Sequence, residues 1–353
     1  MSTSDRFHLV FEAKGGRHVP AGIFDEQLLE RARRLVAYHS RDRKIKATLP
    51  PIEVGIIRNE SLNACTALTG GQGYIGLNWG MCGLIFLVFN RMLAHPEVLK
   101  DVGHSSKENI RDRDLWFPPR SISELHDQIG KVEIPIPADE ARWKYGQILL
   151  VTAFDFIVLH ELAHLLNGHV ALIQERAGKP MRNGEAPGVD PLLRQCLEMD
   201  ADCFAVAQFM GFLGDPAYPA SNGASAEMLV FELVFSVYSM LRLDGFGEYS
   251  GSTHHPSPGI RRVMILDTIG TWIDKLQGKV DAESLRSAVL RAVRESERAF
   301  VELFGGEIPQ AELNRSVSTD ARSQIAKILE GWRSMLPELE RLSFRGGLFG
   351  STE

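Results

Sequence analysis

Apolar positions along the chain follow two periods, and the change between them divides the protein. In the first eighty residues, period-two runs predict strands at Phe7–Glu12 and Ile52–Arg58. A further strand pair is predicted over Ser61–Asn78, around the glycine-rich turn at Gly70–Gly73. Between them, Leu28, Leu29, Ala32, Leu35 and Val36 recur at helical spacing and predict a helix over Gln27–Tyr38. Beyond that region the helical period dominates. It predicts Leu84–Leu93, stopped near His95-Pro96, then a long helix from Ala138 to Asn167 ended by Gly168. Leu192–Phe212, Glu227–Leu243, Ile260–Lys275, Ala282–Phe304 and Asp320–Leu342 follow. The expected class is α+β, predominantly α-helical, with a small N-terminal β-sheet.

Two stretches break the pattern. Residues 96–137 are polar and carry Pro118, Pro119, Pro135 and Pro137, which predicts a long connection and a candidate lid. Arg176–Val189 is a Gly/Pro-rich loop. No internal repeat or low-complexity run is present.

Composition narrows the function classes. With 353 residues and 44% hydrophobic content, the chain can bury a sizeable core. Its net charge of -6 is spread in mixed signs, so nothing points to nucleic acid. Cys65, Cys82, Cys196 and Cys203 lack C-x-x-C spacing and read as small core residues in a reducing compartment. Met1–Val10 has no apolar signal core. Met81–Phe89 runs into Asn90 and Arg91, and Met228–Leu241 contains Glu232, so neither supplies the roughly 20 apolar residues of a membrane span. The expectation is a soluble, cytoplasmic protein with no integral membrane segment. Its oligomeric state is left open.

The candidate chemistry lies in His160-Glu161-Leu162-Ala163-His164, an H-E-x-x-H pattern on an apolar helix. Positions i and i+4 share a face, so His160 and His164 can offer imidazole nitrogens to one Zn2+, with Glu161 near the reacting water. A catalytic zinc takes a third protein ligand. A third histidine in the extended H-E-x-x-H-x-x-G-x-x-H pattern needs Gly at 167 and His at 170, where the chain has Asn167 and Val170. His169 is therefore expected to be a polar residue just past the helix end. The better third ligand is Glu198, with Asp202 one turn on accepting from a ligand imidazole. Asp200, between them, is expected on a solvated acidic face.

These motifs resemble the gluzincin metallopeptidases. Asn63-Ala64-Cys65-Thr66-Ala67 with Gly70-Gly71 and Tyr74–Leu77 is similar to a segment of the M48 group, which includes HtpX-like and CAAX-processing proteases. Thr253-His254-His255-Pro256 before Arg261 and Arg262 is similar to another. The chain departs from that group in its short gap from His164 to Glu198, in inserted residues and in its lack of membrane segments. In general shape it is also similar to the soluble phage-exclusion proteases of the Lit type. The resemblance implies a zincin-like fold over 1–275, followed by a helical C-terminal extension at 276–344 and a flexible tail at 345–353. It implies a zinc metalloendopeptidase acting on a protein or peptide substrate, with Glu161 as general base and His255 as oxyanion donor, His254 in reserve. It also implies that Asn63, Ala64 and Cys65 belong to an edge strand pairing with substrate. The alternative is a metal-binding regulatory or defence module with little or no proteolysis. Gly71–Gly76 formally matches a dinucleotide fingerprint, but Tyr74–Asn78 reads as strand where that site needs a helix.

Overall fold

The computed structural model describes residues 3–20, 22–41, 45–46, 48–61, 63–109, 135–178, 189–213, 225–244, 255–276, 280–304 and 318–345. Its first element corrects the sequence expectation. The Phe7–Glu12 run forms no strand; α1 (Thr3–Val10) covers its first part, and a 3-10 turn follows at Glu12–Lys14. Phe7, Leu9 and Phe11 satisfy a period of two, but only Phe7 and Phe11, four apart, are buried at 0% exposure; Leu9 is 50% exposed. The two buried rings touch, with centroids 4.8 Å apart, and pack on Cys65, Ala67 and Tyr74 of the sheet. Gly55 allows this approach, because a Cβ there would stand 2.6 Å from the Phe7 ring.

Helix α2 (Ile23–Ser40) and strands β1 (Ile52–Ile57), β2 (Ala64–Thr69) and β3 (Gln72–Asn78) occupy the predicted positions. The sheet order is β1-β3-β2, with β1 parallel and β2 antiparallel to β3. Gly70 and Gly71 close the β2–β3 hairpin at φ 59 and 72, the left-handed pair that a two-residue turn of this hand requires. Strand β2 is an edge.

After α3 (Trp79–Ala94), the next described helix is α4 (Glu140–Leu166). The Asp139 carboxylate caps it, accepting from the N–H groups of Ala141 and Arg142. By length and composition α4 could cross a membrane, but 78% of its most apolar window is buried inside the protein. It is apolar on nearly every face because α2, α3 and the sheet surround it, together with helices from later in the chain. Arg142, fully buried, donates to the carbonyls of Leu93, His95, Val98, Leu99 and Val102. The start of the candidate lid is therefore fixed against α3 and α4. Residues 110–134 of that segment lie outside the described residues.

Helices α5 (His169–Ala177), α6 (Pro191–Phe212), α7 (Ala226–Asp244), α8 (Pro258–Lys275), α9 (Ala282–Phe304) and α10 (Thr319–Leu342) complete the described structure. A second apolar cluster joins α5, α6, α8 and α10 through Leu172, Leu197, Ile260 and Ile328. Gly168, at φ 81, ends α4, and any Cβ there would stand 2.8 Å from the Leu342 carbonyl carbon. The end of α10 closes on the same place: Ser343 Oγ and Phe344 N both donate to the Leu166 carbonyl at 2.9 Å. The result is an α+β, mainly helical protein with one small sheet.

Candidate metal centre

The last two turns of α4 carry His160, Glu161 and His164 toward α6, which presents Glu198. His160 Nε2 stands 3.2 Å from His164 Nε2 and 3.2 Å from Glu198 Oε2, and His164 Nε2 stands 3.6 Å from Glu198 Oε1. Ligand atoms of a tetrahedral ion with bonds near 2.0–2.1 Å are roughly 3.3 Å apart. Among the described residues, His160, His164 and Glu198 form the group that could hold a metal ion.

Polar bookkeeping around the three residues supports this fit. Glu198 Oε2 is buried without an aligned hydrogen bond, although His160 Nε2 and His255 Nδ1 lie 3.2 and 3.0 Å away. Asp202 Oδ1 accepts from His160 Nδ1 at 2.8 Å, so the free nitrogen of His160 is the one facing Glu198. Asp202 is itself held by Arg261, which donates to both carboxylate oxygens at 2.8 Å. Burial alone would raise the Asp202 carboxyl, but Arg261 and His160 bring it down to about 2. Burial likewise opposes ionisation of Glu198, yet His255, His164 and His160 hold it well below the usual carboxylate range. The two ligand imidazoles differ. Burial would lower His160, but the carboxylates of Asp202 and Glu198 push it up to about 10; burial holds His164 at about 3.

Glu161 points to the sheet side of the cleft. Thr66 Oγ1 donates to Glu161 Oε2 at 2.6 Å, and burial pushes the Glu161 carboxyl up. A cavity of about 310 Å³ opens over these groups, lined by Asn63 and the first three residues of β2, apolar side chains of α3, α4 and α7, and His255.

Strand β2, at the edge of the described sheet, begins at Ala64, so Asn63 stands just before it. Asn78 N donates to the Asn63 carbonyl, so in the antiparallel ladder the backbone groups of Asn63, Cys65 and Ala67 face β3. Those of Ala64 and Thr66 turn to the open edge. Cys65 packs its side chain on the α1 side, where burial pushes its thiol up to about 12. The Asn63 carboxamide oxygen accepts from Ala64 N at 2.9 Å. His255 reaches the centre through its contact with Glu198; His254 lies outside the described residues.

One expectation is corrected. Asp200 is not on a solvated face: it is 7% exposed and accepts from Asn167 Nδ2, His169 Nε2 and Trp332 Nε1 at 2.6, 2.9 and 2.9 Å. These bonds, led by His169, hold it below its ordinary value against the effect of burial. His169 follows the end of α4, as expected, and is not one of the three grouped candidate metal-ligating residues. It opens α5 at 0% exposure, with Nδ1 3.0 Å from His164 Nδ1. Three acidic residues at every second position of a largely apolar helix were the available signal, since such a helix cannot turn all of them to water. Thr66 and Trp332 carry no comparable signal, because their partners lie about a hundred residues away.

No known family, curated protein or solved structure matches this chain.

Proposed function

We propose that the protein is a zinc-dependent metallopeptidase with a zincin-like, gluzincin-type site, acting on a protein or peptide substrate. The observation that carries this reading is the convergence of His160 Nε2, His164 Nε2 and a Glu198 carboxylate at tetrahedral edge distances, with a carboxylate that is not needed as a ligand, Glu161, beside them. A module that only binds metal has no use for a buried base at that position. Zinc, when bound, supplies Lewis acidity toward the peptide carbonyl and makes water a stronger acid.

The side chains then divide the work. Glu161 takes the proton of the attacking water and returns it to the leaving amine. A carboxyl raised by burial suits that double role, and the Thr66 hydroxyl fixes its orientation. His160 and His164 hold the ion from one helix face, and Glu198 closes the set from α6. Asp202, anchored by Arg261, keeps the proton of His160 on Nδ1 and its lone pair on Nε2. The open edge of β2, at Ala64 and Thr66, supports an extended substrate by strand addition, and Asn63 borders it. His255, on the cleft wall, is the proposed donor to the oxyanion.

The test is metal content together with cleavage of an unstructured protein such as casein, for wild type and Glu161→Gln. Wild type should hold about one zinc per chain and cleave, while Glu161→Gln should hold zinc and not cleave. Zinc without cleavage in wild type would favour the metal-binding regulatory or defence module. No zinc in either protein would remove the reading.

A further inference from the structure

We infer that His169 and Asp200 form a positioning relay that selects the metal-binding tautomer of His164, with Trp332 of α10 as its clamp. The inference rests on the metal-site reading above and does not depend on peptide hydrolysis.

A metal on His164 Nε2 requires the imidazole proton to be on Nδ1, and that proton needs an acceptor in an interior closed to water. For His160 the acceptor is Asp202. For His164 Nδ1 no carboxylate among the described residues is in place. The neighbour of its Nδ1 is His169 Nδ1, at 3.0 Å. An imidazole accepts at Nδ1 when its own proton is on Nε2. His169 Nε2 faces Asp200 Oδ2 at 2.9 Å, and a carboxylate there can only accept. The order of donation is therefore His164 Nδ1–H to His169 Nδ1, then His169 Nε2–H to Asp200.

Asp200 is kept in place by other partners. Asn167 donates to Oδ2 and Trp332 to Oδ1. His169 is fully enclosed, and its ring stands nearly perpendicular to that of His164 with centroids 5.0 Å apart. Each ligand histidine thus has its own carboxylate: Asp202 directly for His160, and Asp200 through one further imidazole for His164. Both carboxylates come from a single helix, α6, two residues apart. The five-residue step from His164 to His169 spans the Gly168 break, which turns the chain and brings the second ring back against the first.

The relay predicts that acceptor chemistry at position 169 matters more than the volume of the ring. His169→Phe keeps an aromatic ring but has no acceptor. His169→Asn is smaller yet retains an oxygen close to the position of Nδ1. Zinc affinity of the full chain, measured by competition with a chelator, should fall about ten- to a hundred-fold in His169→Phe and recover most of that loss in His169→Asn. Long-range 15N–1H NMR of the zinc-loaded proteins should show His164 with its proton on Nδ1 in wild type and His169→Asn. In His169→Phe the Nδ1–H signal should broaden or exchange with solvent. Asp200→Asn should lower affinity about ten-fold, which gives a second reading if His169→Phe fails to fold. Equal affinity in wild type, His169→Phe and Asp200→Asn, with an unchanged His164 signal, would overturn the relay. So would an Asn variant weaker than Phe, since volume would then decide. Failure of wild-type protein to bind zinc more tightly than His160→Ala would instead overturn the metal-site reading on which the relay rests.

Discussion

Thr66 on the edge strand donates its hydroxyl to Glu161 on the central helix at 2.6 Å. This bond joins the strand proposed to hold substrate to the residue proposed to move the proton. Thr66→Val keeps the branched shape and removes the donor. It should lower kcat about ten-fold and leave zinc content unchanged, while Thr66→Ser should stay near wild type. A valine variant with wild-type turnover would reduce the bond to a packing detail.

Ligands and base should separate by metal content. His160→Ala, His164→Ala and Glu198→Ala should each greatly lower zinc occupancy by elemental analysis, because each removes one of three donors. Glu161→Gln should keep the metal and lose turnover. The assignment falls if Glu161→Gln empties the site while Glu198→Ala keeps it full.

Asp202 is bonded to both His160 and Arg261. Asp202→Asn should weaken zinc affinity by roughly ten- to a hundred-fold, as changes to groups that orient a ligand do. Arg261→Met, which removes the anchor but leaves the carboxylate, should have a smaller effect in the same direction. Unchanged affinity in both variants would leave the pair with a structural role alone.

His255 has two candidate roles, because it touches Glu198 at 3.0 Å and also lines the cleft. An oxyanion donor acts only as charge develops, so His255→Ala should lower kcat about a hundred-fold with KM and zinc content nearly unchanged. Loss of zinc in the same variant would mean that His255 orients Glu198 instead. If His254→Ala has the larger kinetic effect, the oxyanion role belongs to that residue.

Away from the site, Glu232 on α7 is 4% exposed and its Oε1 has no hydrogen-bond partner among the described residues. Burial pushes its carboxyl up to about 7. A folded-state value above the unfolded one gives stability that is complete below about 4.5 and is lost as pH rises through about 7. Glu232→Gln should therefore be more stable than wild type at pH 8, by up to about 3 kcal/mol, and no more stable at pH 4. Denaturant unfolding at the two pH values measures this, and equal differences at both would exclude the ionisation as the cause.

The helices from α2 onward, except the short α5, were legible because each has an apolar stripe or, in α4, apolar residues on nearly every side; α5 was missed because the Gly168 stop hid the restart at His169. Segment Phe7–Glu12 misled because Phe7, Leu9 and Phe11 fit a period of two while Phe7 and Phe11 also fit one helix face, and only packing on Gly55 selects the helical pair. The H-E-x-x-H spacing and the i, i+4 pair Glu198 and Asp202 carried the candidate centre into view, since one helix face sets the distance within each pair. Asp200 could not be placed by the same logic. Its partners His169 and Trp332 come from two other helices, and a sequence does not show which helix will cover the side of α6 between two ligand-facing acids.

Trp332 is 132 residues beyond Asp200 in the chain, and this separation has a meaning during synthesis. At about 5–20 residues per second, the ribosome delivers Trp332 roughly 7–26 s after Asp200. His160, His164, Glu198 and Asp202 all emerge well before it. A nascent chain thus presents its donor set for a time without α10, with Asp200 lacking its Trp332 partner and the end of α4 lacking the contacts of Ser343 and Phe344. On the proposed reading, the residues that would hold the ion are all made before the tryptophan that closes over Asp200, and arrival of that tryptophan is the later event.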